Sequence, residues 1–340
     1  LKFGISGEEE RHMAQASYDV IGIGSAIVDI LSRTDDGFIQ THGLVKGTMA
    51  LVTADRSKFL YDRMGVAIEI SGGSAANTMA GIASLGGSPA FIGKVGKDQL
   101  GEVFSHDIKA GGVDFLGGTG SQPTATCHIL VTPDGQRTMN TYLGACTEMG
   151  PDDIDAGKIA DAHVIYIEGY QWDTPQAKAA IRKATKAAKG AGRKVALSLS
   201  DPFVVDRHRG DLLGLIKDEV DILFGNEDEI FRLYEASDLE TAVERLRAAN
   251  VLAVMTRGAK GAVVFDGDTT AAIDAAPVAK VVDTTGAGDL FAAGFLFGFT
   301  HGRPLESCAR IGAMAAAEVI SHMGARPETP LRDLLVKHSL

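Results

Sequence analysis

"HVIYIEGYQWDTPQAKAAIRKATKAAKGAGRKVALSLS", residues 163–200, decides the architecture. Its ends, 163–169 and 194–200, are short apolar runs with almost no polar alternation. They flank a stretch of helical character, "TPQAKAAIRKATKAAKGAG". A strand covered on both faces reads as a continuous apolar run, and a helix between two such strands is the unit of a parallel sheet. The same order recurs on either side. "YDVIGIG" (18–24) and "PAFIG" (89–93) read as strands around the Ala-rich helix 74–86, and 98–112 reads as a helix with a glycine stop. "DILFG" (221–225), "VLAVMTRG" and "GAVVFDG" add strands, with the helix "NEDEIFRLYEA" after the first. Helices are expected at about 286–300, 304–322 and 329–337. The fold class is therefore α/β, a three-layer α/β/α arrangement around a mostly parallel sheet.

Two segments break the alternation. Residues 31–55 read as short extended pieces without a helix period, and 123–143 reads as a hairpin turning at Pro133-Asp134-Gly135. Both are assigned to a small β-sheet lid on one domain, 13–340, with no internal repeat or low-complexity linker. Residues 1–12, "LKFGISGEEERH", read as an expression-tag remnant.

The chain has 340 residues and a formal net charge of −11, which argues against nucleic-acid or anionic-membrane partners. Three cysteines far apart in sequence fit buried thiols in a reducing cytosol rather than a disulfide framework. The longest apolar run, 290–299, is about half of a membrane span. The expectation is a cytoplasmic protein. The nine histidines show no ligand spacing, and His128 and His163 read as structural.

One further stretch carries chemistry. In "VVDTTGAGDLFAAGFLFGFT", 281–300, Asp289 is the lone ionisable side chain after Asp283, at the start of a helix that is apolar all round. Helix-start amides lack internal acceptors and favour an anion, and glycines let a phosphate approach. A carboxylate there reads as a helix cap, or as a base taking a proton from an attacking hydroxyl.

"DTTGAGDLFAAGF" and "SGGSAANTMAGIASLGGSPAFIGKVGKDQLGEVF" (71–104) resemble the C-terminal and N-terminal signatures of the ribokinase-like (PfkB) carbohydrate and nucleoside kinases. The flavour of "GSAIVDI", "GLVKGTMALV", "RTMNTYLGA" and "YIEGYQWD" leans to the adenosine-kinase-like branch. The resemblance implies transfer of the γ-phosphoryl of ATP to a primary hydroxyl, such as the 5′-hydroxyl of adenosine; a ribokinase- or fructokinase-like sugar kinase and a non-catalytic sensor are the alternatives. It implies Asp289 as base and Gly286, Ala287 and Gly288 as an anion hole. Arg137 reaches the transferring phosphate by the same resemblance. Asp29 and Asn77 bind sugar hydroxyls, with Gly72-Gly73 as the lid hinge. A nucleoside also needs an aromatic or apolar wall, for which Tyr170, Trp172 and Met49 are candidates. The resemblance places Asn226 and Glu229 around Mg²⁺ through water, Asn226, Thr256, Gly258 and Gly261 around ATP, and Asp283 with Thr285 and the "GARP" loop (324–327) at a K⁺ site. "GIGSAI" lacks the third glycine of a dinucleotide fingerprint, and no P-loop pattern exists. Exposed lid edges leave monomer and lid-paired homodimer both open.

Overall fold

The computed structural model describes residues 16–340; the proposed tag remnant, 1–12, lies outside the described residues. Alternate side chains of each central strand enter different cores. Val20, Val164, Tyr166 and Phe224 face one side, while Ile21, Ile165, Ile167 and Leu223 face the other. That double burial explains why these strands read as unbroken apolar runs. They belong to a nine-stranded sheet in the order Thr269–Ile273, Ala262–Asp266, Leu252–Thr256, Ile222–Asn226, Lys194–Ser198, Ala162–Glu168, Tyr18–Ile23, Pro89–Ile92, Asp114–Phe115. Every pairing from Leu252–Thr256 to Asp114–Phe115 is parallel. Ala262–Asp266 runs antiparallel to both neighbours, because the five residues after Thr256 are too few for a crossover.

Helices Ser74–Leu85, Ala287–Thr300 and Leu305–Val319 cover one face, and Pro175–Gly190, Pro202–Asp218, Glu227–Tyr234 and Leu239–Ala249 the other. The helix Ala287–Thr300 is buried along nearly its whole length, as an all-apolar helix must be. Trp172 is fully buried in the core on the opposite face, its Nε1 donating to Asp211 Oδ2 at 3.3 Å. It therefore packs structurally and offers no wall to a ligand. Cys127, Cys146 and Cys308 are buried free thiols. His128 is buried with Nε2 2.7 Å from Ser57 Oγ.

A second sheet of five strands has the order Met49–Leu51, Arg137–Tyr142, Ala125–Val131, Ile27–Arg33, Ala67–Gly72. The expected hairpin is present, with Arg137 opposite Val131. One feature differs from the extended reading of 31–55, and one lies beyond it. Asp36–Thr41 is a short helix, its start capped by the Asp35 carboxylate accepting from the Phe38 amide at 2.8 Å. Six residues are too few to display a helical period. Ala67–Gly72 is also part of this sheet, bringing Gly72 opposite Ile27.

Candidate active site

Parallel strands end on the same edge of the sheet, and polar groups at those carboxyl ends form the crevice. Here the ends supply Glu168, Ser198, Asn226 and Thr256, with Ser25 just beyond Tyr18–Ile23. A cavity of about 100 Å³ lies there, lined among others by Ser74, Ser200, Asn226, Glu229, Thr256, Gly288 and Asp289.

Asp289 sits in the first turn of Ala287–Thr300. Ser74 Oγ donates to its Oδ1 at 2.6 Å and Asn77 Nδ2 to its Oδ2 at 3.1 Å. The two helix starts are thus joined through one carboxylate. Burial pushes that carboxyl up to about 6, while Ser74 and Asn77 oppose the rise by bonding the ionised form. Asn77 Oδ1 is buried without a partner, so its acceptor is free for a hydroxyl.

Gly286 caps this helix at φ 78°, and a side chain there would press on Ala325, 2.8 Å away. The Ala287 amide bonds back to Thr284 O at 3.3 Å. Of the three residues expected to form an anion hole, Gly288 is the one that lines the cavity, with open space where a side chain would stand.

Asp29 lies on Ile27–Arg33 in the small sheet and is not among the residues that line this cavity. Gly72 makes room for it, since a Cβ would come within 2.6 Å of Asp29 Cγ. Gly73 takes φ 95° and abuts Ser25 O, a conformation and approach only glycine tolerates. Burial pushes Asp29 up to about 7; Arg326 and Arg137 pull it down, and Asp289 and Asp283 push it up. Asp29 thus lies within electrostatic reach of Asp289 and Arg137.

Arg137 reaches from the small sheet to the loop before the signature helix. Its Nη1 donates to Thr285 Oγ1 at 2.5 Å, and its Nη2 pairs with Asp283, whose side chain is fully buried. Asp283 also accepts the Thr285 amide at 2.9 Å and the Gly324 amide at 2.8 Å. The carboxylate expected at a K⁺ site thus already carries a guanidinium and two amides, so in this arrangement the residues do not fit a monovalent cation.

Asn226 and Glu229 form a capping box: Asn226 Nδ2 and its amide donate to Glu229 at 2.8 and 2.9 Å, and Asn226 Oδ1 accepts the Glu229 amide at 2.9 Å. Burial pushes Glu229 up to about 7, opposed by the Asn226 amide. Among the described residues no group of three His, Cys, Asp or Glu is placed to hold a metal directly. The Asn226–Glu229 pair does face the cavity with oxygen donors, which suits an ion held chiefly by phosphates and water.

Thr256 lines the cavity, whereas Gly258 and Gly261 belong to the turn between two strands. Gly261 is at φ 79°, against the carbonyl of Ile273. Tyr170 donates its hydroxyl to Ser200 O at 3.2 Å, and burial raises its pKa, with Asp289 among the nearby charges.

The structure adds residues that pattern reading passed over. Glu168, fully buried, accepts the amides of Ser25 at 2.7 Å and Ala75 at 2.9 Å and the Gln171 side chain at 3.2 Å. It ends a strand and accepts from the first turn of the helix Ser74–Leu85. A charged residue closing an apolar run was its only signal. Ser74 looked like an ordinary helix start, and Ser200 shows its role only in its φ of 68°.

The pfkB family carbohydrate kinase model matches residues 69–332. The chain belongs to the pfkB family. It is a kinase that transfers a phosphoryl group to an alcohol, of the adenosine-kinase-like branch. It resembles the adenosine kinase of Sinorhizobium meliloti, with 50% identity, TM-score 0.90, and coverage of 95% of this chain and 100% of that one. A probable sugar kinase of Rhizobium etli is 47% identical with TM-score 0.90, over 95% of this chain and 99% of that one. Adenosine kinase 1 of Arabidopsis thaliana is 27% identical over 94% of this chain and 99% of its own length. Kinases of this family use ATP and Mg²⁺. No helix among the described residues of this kinase is long and apolar enough to cross a membrane.

Proposed function

We propose that this kinase transfers the γ-phosphoryl group of ATP to the 5′-hydroxyl of a ribonucleoside, adenosine being the first candidate. The observation that carries the reading is the Asp289 carboxylate, bonded by Ser74 and Asn77 at a helix start, lining the cavity at the strand ends and near enough to Asp29 for their charges to interact. Asp29 accepts hydrogen bonds from a vicinal hydroxyl pair, for which a two-oxygen acceptor is suited. The free Oδ1 of Asn77 accepts another. The acceptor's primary hydroxyl then lies against Asp289.

As that hydroxyl attacks the γ-phosphorus, the new O–P bond forms, the bond to the β-phosphate oxygen breaks, and ADP leaves. Asp289 takes the hydroxyl proton. The Gly288 amide stands at the positive end of the helix, where charge grows on the transferring group. Arg137, swung from Asp283 toward the phosphate, adds a second positive group. Asn226 and Glu229 would hold Mg²⁺ through water, and the ion supplies charge neutralisation on the phosphate oxygens when bound. The small sheet acts as a lid, with Gly72-Gly73 as hinge, and closure excludes water from the reacting group.

ADP release measured with adenosine, guanosine, ribose and fructose tests the reading. Turnover highest with adenosine supports it. Preference for ribose or fructose would favour a sugar kinase, the reading to which the likeness to a probable sugar kinase points. Tight binding without any turnover would favour a sensor.

A further inference from the structure

The loop 321–330 joins the helices Leu305–Val319 and Leu331–His338 and carries a side chain that the steps above leave unused. Three anchors fix the loop. Gly324 donates to Asp283 Oδ2 at 2.8 Å. Ala325 fills the space beside Gly286. Buried Glu318 accepts the amides of Glu328 and Thr329 at 3.1 and 2.8 Å and lies 3.2 Å from His322 Nε2. A loop held at three points presents its middle residue, Arg326, in one place.

Arg326 is enclosed, and its Nε and Nη2 are buried with no hydrogen-bond partner. Its field acts on two carboxylates, Asp107 on the helix Gln99–Ala110 and Asp29 on the strand Ile27–Arg33. A guanidinium keeps its charge in a protein, so burying one with bare N–H groups is costly unless a ligand brings oxygens to it. Asp29 is the residue through which such a ligand is recognised in the reading above, and of the charges that favour its ionised form Arg326 is the foremost.

Resting on that kinase reading, we propose that Arg326 belongs to the acceptor site: its unbonded N–H groups bind one oxygen of the vicinal hydroxyl pair that Asp29 holds. The ligand class is a ribose-bearing or similarly hydroxylated molecule. Around Asp29 the charged groups are Arg326 and Asp283 from loops, Arg137 from the small sheet and Asp289 from the signature helix. The Cys127 thiol stands opposite it on the neighbouring strand, pushed up to about 12 by burial and then by Asp29 itself.

The test compares the wild-type chain with Arg326→Gln and Arg326→Lys. Arg326→Gln should raise the acceptor KM about tenfold, the loss of one charge-assisted hydrogen bond, with kcat and the ATP KM little changed. Part of that penalty should vanish with 2′- or 3′-deoxyadenosine, whichever lacks the oxygen that Arg326 meets. The acid limb of kcat/KM should move to higher pH, and Arg326→Lys should restore its position while recovering only part of the KM. Should Arg326→Gln fail to fold, Arg326→Lys carries the kinetic test. An unchanged KM, or an equal penalty with adenosine and both deoxy acceptors, overturns the proposal. A ¹³C-carboxyl NMR titration of Asp29 in the free protein, assigned through Asp29→Asn, gives a readout independent of turnover. Arg326→Gln should move it above about 7; an unmoved titration overturns the proposal. Absence of turnover by the wild-type chain would count against the kinase reading alone.

Discussion

Asp289 concentrates two opposing demands. As the proposed base it must be ionised to accept a proton, yet burial favours its neutral form and lifts it to about 6. Asp289→Asn should keep nucleotide and acceptor binding and cut kcat by roughly 10²–10⁴-fold, as steady-state kinetics would show; near-normal turnover would remove it as the base. In wild-type enzyme, kcat should fall as pH drops through about 6, while the acid limb of kcat/KM also carries Asp29, at about 7. The stability consequence has the opposite direction. A carboxyl whose pKa is higher in the folded chain contributes stability below its unfolded value near 4, and that contribution is lost as pH rises toward about 6. Asp289→Asn removes this loss. Its unfolding free energy relative to wild type should therefore climb between pH 4 and pH 7, by an amount on the order of 1 kcal/mol, as urea unfolding at the two pH values would show. A difference independent of pH would contradict this account.

Helices place that carboxylate through close packing. Gly294 in Ala287–Thr300 meets the backbone of Leu305–Val319, and a Cβ there would lie 2.6 Å from Gly312 N and Ile311 C. Backbone cannot yield as a side-chain tip can. Gly294→Val should cost about 1–3 kcal/mol in urea unfolding and, by separating the helices, also disturb Asp289. Glu168 governs the other helix start. Glu168→Ala would leave the amides of Ser25 and Ala75 bare, at about 1–3 kcal/mol for each. Equilibrium unfolding should show a large loss, and Glu168→Gln a smaller one, because its oxygen still accepts.

Arg137 couples the two sheets. From the strand Arg137–Tyr142 it bonds Asp283 and Thr285 beside the signature helix, with its side chain 13% exposed. If it also serves the transferring phosphate, Arg137→Gln should lower kcat by roughly 10²-fold, the scale of one lost donor to developing negative charge. Hydrogen exchange should quicken in Ile27–Arg33 and Ala125–Tyr142, the strands that Arg137 ties to the main domain. Unchanged exchange would mean that the small sheet is held by other contacts.

Local pattern was enough for the α/β class, the core strands and the helices beside the signatures, because double burial and short-range capping leave a periodic trace in nearby residues. The helix Pro202–Asp218 escaped this reading since "DRHRGD" interrupts its apolar face and the backbone kinks at His208. The residues proposed as base and acceptor ligand, Asp289 and Asp29, and the capping pair Asn226–Glu229 also lie within short motifs of the sequence. Packing alone assigned the rest. Trp172 went to the core, Arg137 to Asp283, Ser74 to Asp289 and Arg326 to the edge of Asp29's field. Those pairings join residues tens to more than two hundred positions apart, and a side chain's partner at such range depends on how whole layers stack, which no neighbouring residue encodes.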